Sequence, residues 1–552
     1  MPRKIAPTEW LWVSVATLLI LFTTSFPYYL GLRSSTEQMH FGGFLFGLDD
    51  MWSYVAKMRY GAYDGWLFRL FYTTEVHSGG FVFGFHLALG KLAGLITGQG
   101  ARVSAETLVV TYHIARIISG SILLLIMYRF GAEYLETPAK RRLAWALAAI
   151  AGGLGWIWTV ISAATDARTI PTPVEFVIPE AFTLLLPYGL PHLALARSLL
   201  LIGWILFFRS LDNGRLSSAV LAGVAWLGMG ILVPFYVALL GTLIAVWLGV
   251  LWFNRRALPL NELRFAASAG VVPLIILIYN GWLFSTNKVF AQWAAQNILH
   301  SPPFLDYLLA YIVLILLGIP AIINLLKAGL NHRTVLLIVW PITALALAYV
   351  PINVQRRMLE GVIIPLTILA TMGLWSLVGE KPDDRSAMIL WRLRQIGGGI
   401  VLSFLLPSAV LLIGGGAMAA SKSEQPLFQS TDELDVLHWL GQRAQPGSVV
   451  MVTPQVGNIL PAYAPVRVYT GHGPETIGAP NKEIRARAFF EGTMKSSDAQ
   501  ALLEEIRARY VWVGGPGYQF DCPQNICFDP TLLGLEEIYH SGEFTIFKVK
   551  DS

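Results

Sequence analysis

Asp49 and Asp50 stand side by side at the head of a polar loop rich in aromatic residues, a short way beyond the first long apolar run. A carboxylate at a membrane surface can take a proton from a hydroxyl as a general base. Either acid could instead cap a helix beginning near Met51, and the local sequence leaves both roles open. Adjacent helical residues point about 100° apart, so the pair would grip one metal only with Asp49 off the helix. One acid for chemistry and one for capping or orientation is the economical division.

The basic residues suggest where an anion would be held. Arg116 and Arg197 fall inside apolar runs, toward their outer ends, with His113 and His192 nearby. Ionisable groups in a membrane span are costly and face a cavity or a partner, although ion pairing or snorkelling explains them equally well. Arg356 and Arg357 lie in a very short external loop before Glu360, against the usual charge bias. Two guanidiniums there can hold a phosphate bidentately, which makes all four arginines candidate phosphate ligands. Lipid headgroups or a salt bridge to Glu360 are the competing uses of the doublet.

Other external polar groups are candidate substrate contacts: Glu75 and His77 in the loop, His192, Lys288, and His472 with Glu475 after a strand. Glu75 and His77 alone do not make a metal site. Asp166, Glu175 and Glu180 flank Pro171, Pro173 and Pro179 in what reads as a rigid wall, and Lys288 leads into 292–303, which reads as a mobile gate. Gly514, Gly515 and Gly517 are not a dinucleotide fingerprint, since no helix with the third glycine follows.

These residues must be positioned by a membrane protein. Of 552 residues, 55% are hydrophobic and 14% charged, well below the quarter or so of soluble domains. The net charge of +5 comes from basic residues between apolar runs, a topological pattern and not one for nucleic acid. The absence of an Asn-x-Ser/Thr sequon favours a prokaryotic envelope. The first run lacks a small-residue cleavage site and reads as a retained anchor.

Apolar runs give about eleven spans, at 10–30, 105–128, 143–165, 190–208, 216–233, 235–252, 265–284, 304–326, 334–350, 359–378 and 396–419. Arg3 and Lys4 place the N-terminus inside, and later basic clusters fall on the same side. The run 79–98 would reverse every later cluster if it spanned, so it is expected as an external helix on the membrane. Met51, Val55 and Met58 share a face of another, with Lys57 and Arg59 elsewhere on the turn. The loop 31–104 thus holds two juxtamembrane helices. The expected domains are a transmembrane domain, 1–420, and an extracytoplasmic α/β domain, 421–552.

In the latter, a helix at Thr431–Arg443, strands at 448–453, 466–470 and 510–513, a helix at 497–509 and a hairpin at Ser541-Gly542 are expected. Cys522 and Cys527 would pair in an oxidising compartment, two free thiols being the alternative.

Leu48-Asp49-Asp50 in the first external loop, the two juxtamembrane helices and the many spans resemble the GT-C superfamily of integral-membrane glycosyltransferases. That superfamily includes protein O-mannosyltransferases, aminoarabinose transferases and oligosaccharyltransferase catalytic subunits. Gln355-Arg356-Arg357 with Glu360, and Gly471-His472 with Glu475-Thr476, are similar to stretches of bacterial relatives. The resemblance implies a polytopic α-helical, GT-C-like fold in the cell (inner) membrane. It also implies a polyprenyl-phosphate sugar donor, inversion at the anomeric carbon, and a lipid, glycan or protein acceptor. Asp49 or Asp50 would activate the acceptor hydroxyl, and the arginines would stabilise the leaving lipid phosphate. Some members need a divalent cation, Mg or Mn, and others do not; no clear ligand set is present here. No Trp-Trp-Asp motif occurs, which argues against transfer to Asn-x-Ser/Thr sites. Two other classes compete. A transporter or flippase would carry an internal repeat and broken mid-membrane spans. A non-catalytic descendant would use the membrane part as an anchor only.

Overall fold

The computed structural model describes residues 4–165, 172–379, 381–515 and 526–550. Among the described residues, seven helices are long and apolar enough to cross a membrane: Pro7–Arg33, Ala105–Gly131, Pro191–Asn213, Tyr236–Arg255, Phe304–Ala328, Gln355–Val378 and Ala387–Ala420. The pair Leu260–Gly270 and Leu274–Thr286, bent by 49°, makes an eighth when counted as one span. The chain is a multi-pass membrane protein.

Three of the eleven expected spans are therefore shorter or broken. Leu216–Leu232 and His332–Leu347 are apolar helices of 17 and 16 residues. The run 143–165 divides into Pro138–Ile150 and Trp156–Thr165. At the break, a Cβ on Gly153 would lie 2.4 Å from the Ala310 Cα, so close backbone packing replaces helical continuity.

Contacts divide the chain into two units. The first comprises Met1–Phe26, Arg116–Asn280 and Ile298–Gly415, and the second Pro27–Ala115, Gly281–Asn297 and Gly416–Ser552. In the first, Pro191–Asn213 packs on Leu216–Leu232, where Trp204 meets Trp226 edge-on at 5.3 Å. Fully buried Arg197 pairs there with fully buried Glu360 and donates to the carbonyls of Pro179 and Glu180.

The second unit holds the polar loop and a small α/β body. Its five-stranded sheet runs in the order Arg467–Val468, Val449–Met451, Ala508–Val513, Phe544–Val549, Leu535–Ser541. The first three strands are parallel and the last two antiparallel, closed by the expected hairpin at Ser541-Gly542. Alternating Val449 and Met451, with Val511 and Val513, bury against Phe489, Phe490 and Leu502. The helix Thr431–Arg443 has the expected bounds, whereas Pro454–Tyr463 and Ala479–Phe490 were not anticipated. A ribbon of Met39–Phe41 against Phe428–Ser430 ties the polar loop to the body. Cys522 lies outside the described residues, and its expected pairing with Cys527 with it; so do Asp166, Pro171 and Gly517.

Both juxtamembrane helices are present, as Leu48–Tyr63 and Gly84–Thr97. They pack closely enough that a Cβ on Gly90 would lie 1.7 Å from the Met58 carbonyl oxygen. Met51, Val55 and Met58 are buried together as expected. Lys57 and Arg59, elsewhere on the turn, are buried too, at 1% and 2% exposure. Arg59 is accommodated by the carbonyls of Ala462 and Ala101, to which it donates.

Candidate active site

The helix Leu48–Tyr63 begins one residue before Asp49. Gly47, in the left-handed region at φ +55°, stands at its N-cap position, and no side chain caps it. Neither aspartate occupies the N-cap position itself. Both occupy the first turn, where the helix dipole favours negative charge, and both line a cavity of about 730 Å³ within the second unit. Trp52, Phe428 and Ile459 contribute apolar wall, and Gln425, Gln429 and Asn458 contribute amides.

The two acids have different neighbours, as their angular separation requires. Asn458 donates to Asp49, at 3.3 Å to its carbonyl and 3.4 Å to its carboxylate. Asp50 Oδ1 lies 3.2 Å from His472 Nε2. The opposite nitrogen, Nδ1, lies 3.5 Å from Glu475 Oε1, an ion-pair distance long for a hydrogen bond. Glu475 Oε1 also accepts from Lys57 Nζ at 2.6 Å, and Lys57 donates to Ser53 at 2.6 Å. A line of alternating charge thus runs from the cavity inward: Asp50, His472, Glu475, Lys57.

Burial decides what this line does. The Asp50 side chain is 58% exposed, His472 6% and Glu475 4%. Burial alone would depress the His472 pKa, but Asp50 and Glu475 outweigh it and hold it at about 9. His472 is therefore an imidazolium at neutral pH, donating to Asp50. Glu475 is held below the usual carboxylate range, because Lys57 and His472 overcome the cost of its burial. The buried Tyr72 phenol is pushed well above its ordinary value, by burial and then by Glu475, Asp49 and Asp50. Its hydroxyl donates to the Asn458 carbonyl at 2.9 Å, fixing the residue that orients Asp49. Glu433 also lines the cavity, and burial, with Glu543 nearby, raises it to about 7.

The sheet explains how His472 arrives there. It follows the parallel strand Arg467–Val468, at the strand ends where α/β folds place ligands. A Cβ on Gly457 would lie 2.0 Å from the Thr470 carbonyl oxygen, so only glycine lets this turn settle on Pro454–Tyr463. The expected mobile gate begins within the helix Lys288–Gln296, capped by Asn287. It is fastened to the same turn, because Gln296 donates to the carbonyls of Pro474 and Thr476. Lys288 itself is exposed at the start of that helix.

The remaining candidates divide between the two units. In the second, Glu75 accepts from Lys482 at 2.8 Å and lies below the usual carboxylate range, Lys482 and Thr73 outweighing its burial. His77 Nδ1–H donates to the Glu75 carbonyl and Nε2 accepts from the Leu70 amide, so both ring nitrogens serve the backbone. His113 donates to the Gly43 carbonyl at 2.8 Å. In the first unit, Arg116 donates to the Pro187 carbonyl and to Ser25, and His192 is buried at the start of Pro191–Asn213. Arg357 pairs with Glu180 at 2.6 Å, while Arg356 is half-buried on the same turn. Glu360, the salt-bridge partner of the doublet in the competing reading, pairs with Arg197 instead.

Lys57, Ser53, Asn458 and Glu433 are the residues that sequence reasoning missed. Asp50, Ser53 and Lys57 fall at i, i+3 and i+7, one helix face, and that polar stripe was the available signal. Asn458 and Glu433 carry no spacing that could have singled them out. Among the described residues, no three His, Cys, Asp or Glu side chains gather as metal ligands. Asp49 and Asp50 offer hard oxygen donors of the kind Mg or Mn prefers, but His472 spends Nε2 on Asp50.

No family model matches the chain, and no curated protein does. Among solved structures, it is similar to the Archaeoglobus fulgidus oligosaccharyltransferase tethered by a disulfide to an acceptor peptide containing the NVT sequon. That likeness covers 90% of this chain and 69% of the other, with a TM-score of 0.51 and 13% identity. The oligosaccharyltransferase AglB of the same organism, with an inhibitory peptide and a dolichol-phosphate, matches at 0.43, with 14% identity over 90% and 69% of the two chains. The complex with Zn and sulfate matches at 0.41, with 13% identity over 89% and 67%. Over 90% of its length the chain shares the fold of the peptide-tethered oligosaccharyltransferase, a GT-C fold.

Proposed function

We propose that the chain is a glycosyltransferase that moves a sugar from a polyprenyl-phosphate donor to an acceptor hydroxyl outside the cytoplasm, with inversion. The observation that carries this reading is the exposed Asp50 carboxylate, held at a cavity by a buried imidazolium that Glu475 and Lys57 support in turn. A base for a sugar or serine hydroxyl must keep its lone pair aimed at the cavity, and an imidazolium clamped from behind does this. Asp50 takes the hydroxyl proton as the oxygen attacks the anomeric carbon, and the bond to the lipid phosphate breaks on the opposite face. Asp49, held by Asn458, orients the acceptor. His472 and Glu475 act as positioning residues, and the cavity amides serve substrate hydroxyls.

The donor phosphate is assigned to Arg356 and Arg357. Arg116 and Arg197, with guanidinium N–H groups given to Pro187, Ser25 and Glu360, are assigned to holding the membrane helices. No step is routed through a metal. The N-terminus is assigned to the cytoplasm, and the polar loop and 421–552 to the outer face of the inner membrane.

The test is release of polyprenyl phosphate by the purified protein from a panel of polyprenyl-phosphate hexoses, with glycan, lipid and peptide acceptors. Asp50→Asn should lower transfer by about 10²–10⁴, the usual contribution of a general base. Asp49→Asn should mainly weaken acceptor saturation. Full transfer by the Asp50→Asn enzyme would remove the base assignment.

A further inference from the structure

The first unit contains a second cavity, of about 840 Å³, remote in sequence from the carboxylates. Residues of Pro138–Ile150, Phe304–Ala328, Ile363–Val378 and Arg385–Ser403 line it. Its chemistry is graded along its length. One end is built from helix termini: Thr137 and Lys140 in the first turn of one helix, Asn324 near the end of another, and Gly379 with Lys381 just past a third. The other end is apolar, with Leu143, Met372 and Leu402.

Helix termini mark the membrane boundary, so the polar end lies at headgroup depth and the apolar end among acyl chains. Trp375 and Trp391 stand at the junction, and Trp391 donates to the Gly379 carbonyl at 3.3 Å. Tryptophan favours this interfacial depth. The Asp384 carboxylate accepts from the Ala387 amide at 2.9 Å, at the head of its own helix. Neither Lys140 nor Lys381 makes an ion pair with a described residue. Of the hydrophobic window in Ala387–Ala420, only 11% is buried, which leaves this helix facing lipid and the groove open to it.

We propose that this groove holds one anionic glycerophospholipid of the surrounding bilayer, with its phosphate between Lys140 and Lys381 and an acyl chain along Met372 and Leu402. The charge, the interfacial tryptophans and the apolar run fit a two-part amphiphile with a negative head. A zwitterionic lipid would leave the lysines uncompensated. Basic pockets between spans on the positively flanked side of a membrane are the setting in which anionic headgroups are recognised. This site is independent of the transferase reading.

Native mass spectrometry of the delipidated full chain in detergent, titrated with palmitoyl-oleoyl phosphatidylglycerol or the matching phosphatidylcholine, tests it. One phosphatidylglycerol should bind about 30-fold more tightly, as two lysines at about 1 kcal/mol each would give. Lys140→Gln with Lys381→Gln should abolish that preference. Gly399→Phe should block the adduct with both lysines intact, because Gly399 lines the groove and a Cβ there meets open space. Unchanged thermal unfolding of both variants verifies that they fold. Equal binding of the two lipids, a preference that survives the lysine changes, or displacement of phosphatidylglycerol by equimolar polyprenyl phosphate would each overturn the proposal.

Discussion

Replacing His472 with Gln tests whether the buried imidazolium holds the site together. Glutamine retains a donor near Asp50 but carries no titrating charge. The folded His472 pKa is about 9 against an ordinary 6.5, a rise that corresponds to roughly 3 kcal/mol. Because the pKa is raised, this stabilisation is fully present below about pH 6.5 and fades as pH climbs through 9. Solvent screens the share owed to Asp50, which is 58% exposed, whereas the Glu475 share is buried. Local opening of the turn around Gly473–Glu475 should thus become about ten- to a hundredfold easier between pH 6.5 and 9.5. Amide exchange of peptides covering 471–476, corrected for the intrinsic pH dependence of exchange, reads this directly. The other titrating groups against the ring do not mimic it. Glu475 lies below the usual carboxylate range, and Tyr72 is pushed far above its own. Protection in the Gln variant should be nearly independent of pH over this interval. An identical decline in both proteins would refute the imidazolium reasoning.

Gly90→Ala should destabilise the packing of the two juxtamembrane helices by about 3 kcal/mol or more, because the new Cβ would meet the Met58 carbonyl oxygen at 1.7 Å. Proteolysis within 64–83 reads the loss, and wild-type resistance would contradict it. Arg197→Met or Glu360→Met alone should each cost about 3–5 kcal/mol, since either change leaves one member of a fully buried pair uncompensated. Arg197→Met combined with Glu360→Met should cost less than the two added together. The carbonyls of Pro179 and Glu180, which lose their donor, keep it from being neutral. Thermal unfolding of the set would show additive losses if the pair were not coupled.

What the sequence disclosed depended on the range of the signal. The short apolar runs at 448–453 and 510–513 and the apolar spacing of Met51, Val55 and Met58 are local, and they appear as strands and as a buried helix face. The cost of burying Lys57 is met by Glu475, 418 positions away, and no local pattern foretells that partner. Only the shared face of Lys57 with Asp50 and Ser53 was visible in the sequence. The span at 143–165 misled for another reason. Hydropathy measures apolar length, and the glycines at 152, 153 and 155 interrupt the helix without lowering the apolar sum. Arg197 and Arg357 were legible as unusual charges but not as partners of Glu360 and Glu180, which only the fold supplies.

The contact between Asp50 and His472 spans 422 positions, and the ribbon joining Met39–Phe41 to Phe428–Ser430 is nearly as long-range. The order of synthesis therefore separates the acid from its clamp. At 5–20 residues per second, roughly 20 to 80 seconds pass between the emergence of Asp50 and that of His472. Throughout that interval Lys57 has no Glu475 and the polar loop has no second strand to pair with. A chain cut short between residues 420 and 472 would carry every span and an unclamped aspartate. Assembly of the clamp thus waits on synthesis of the C-terminal body, long after the membrane helices have emerged.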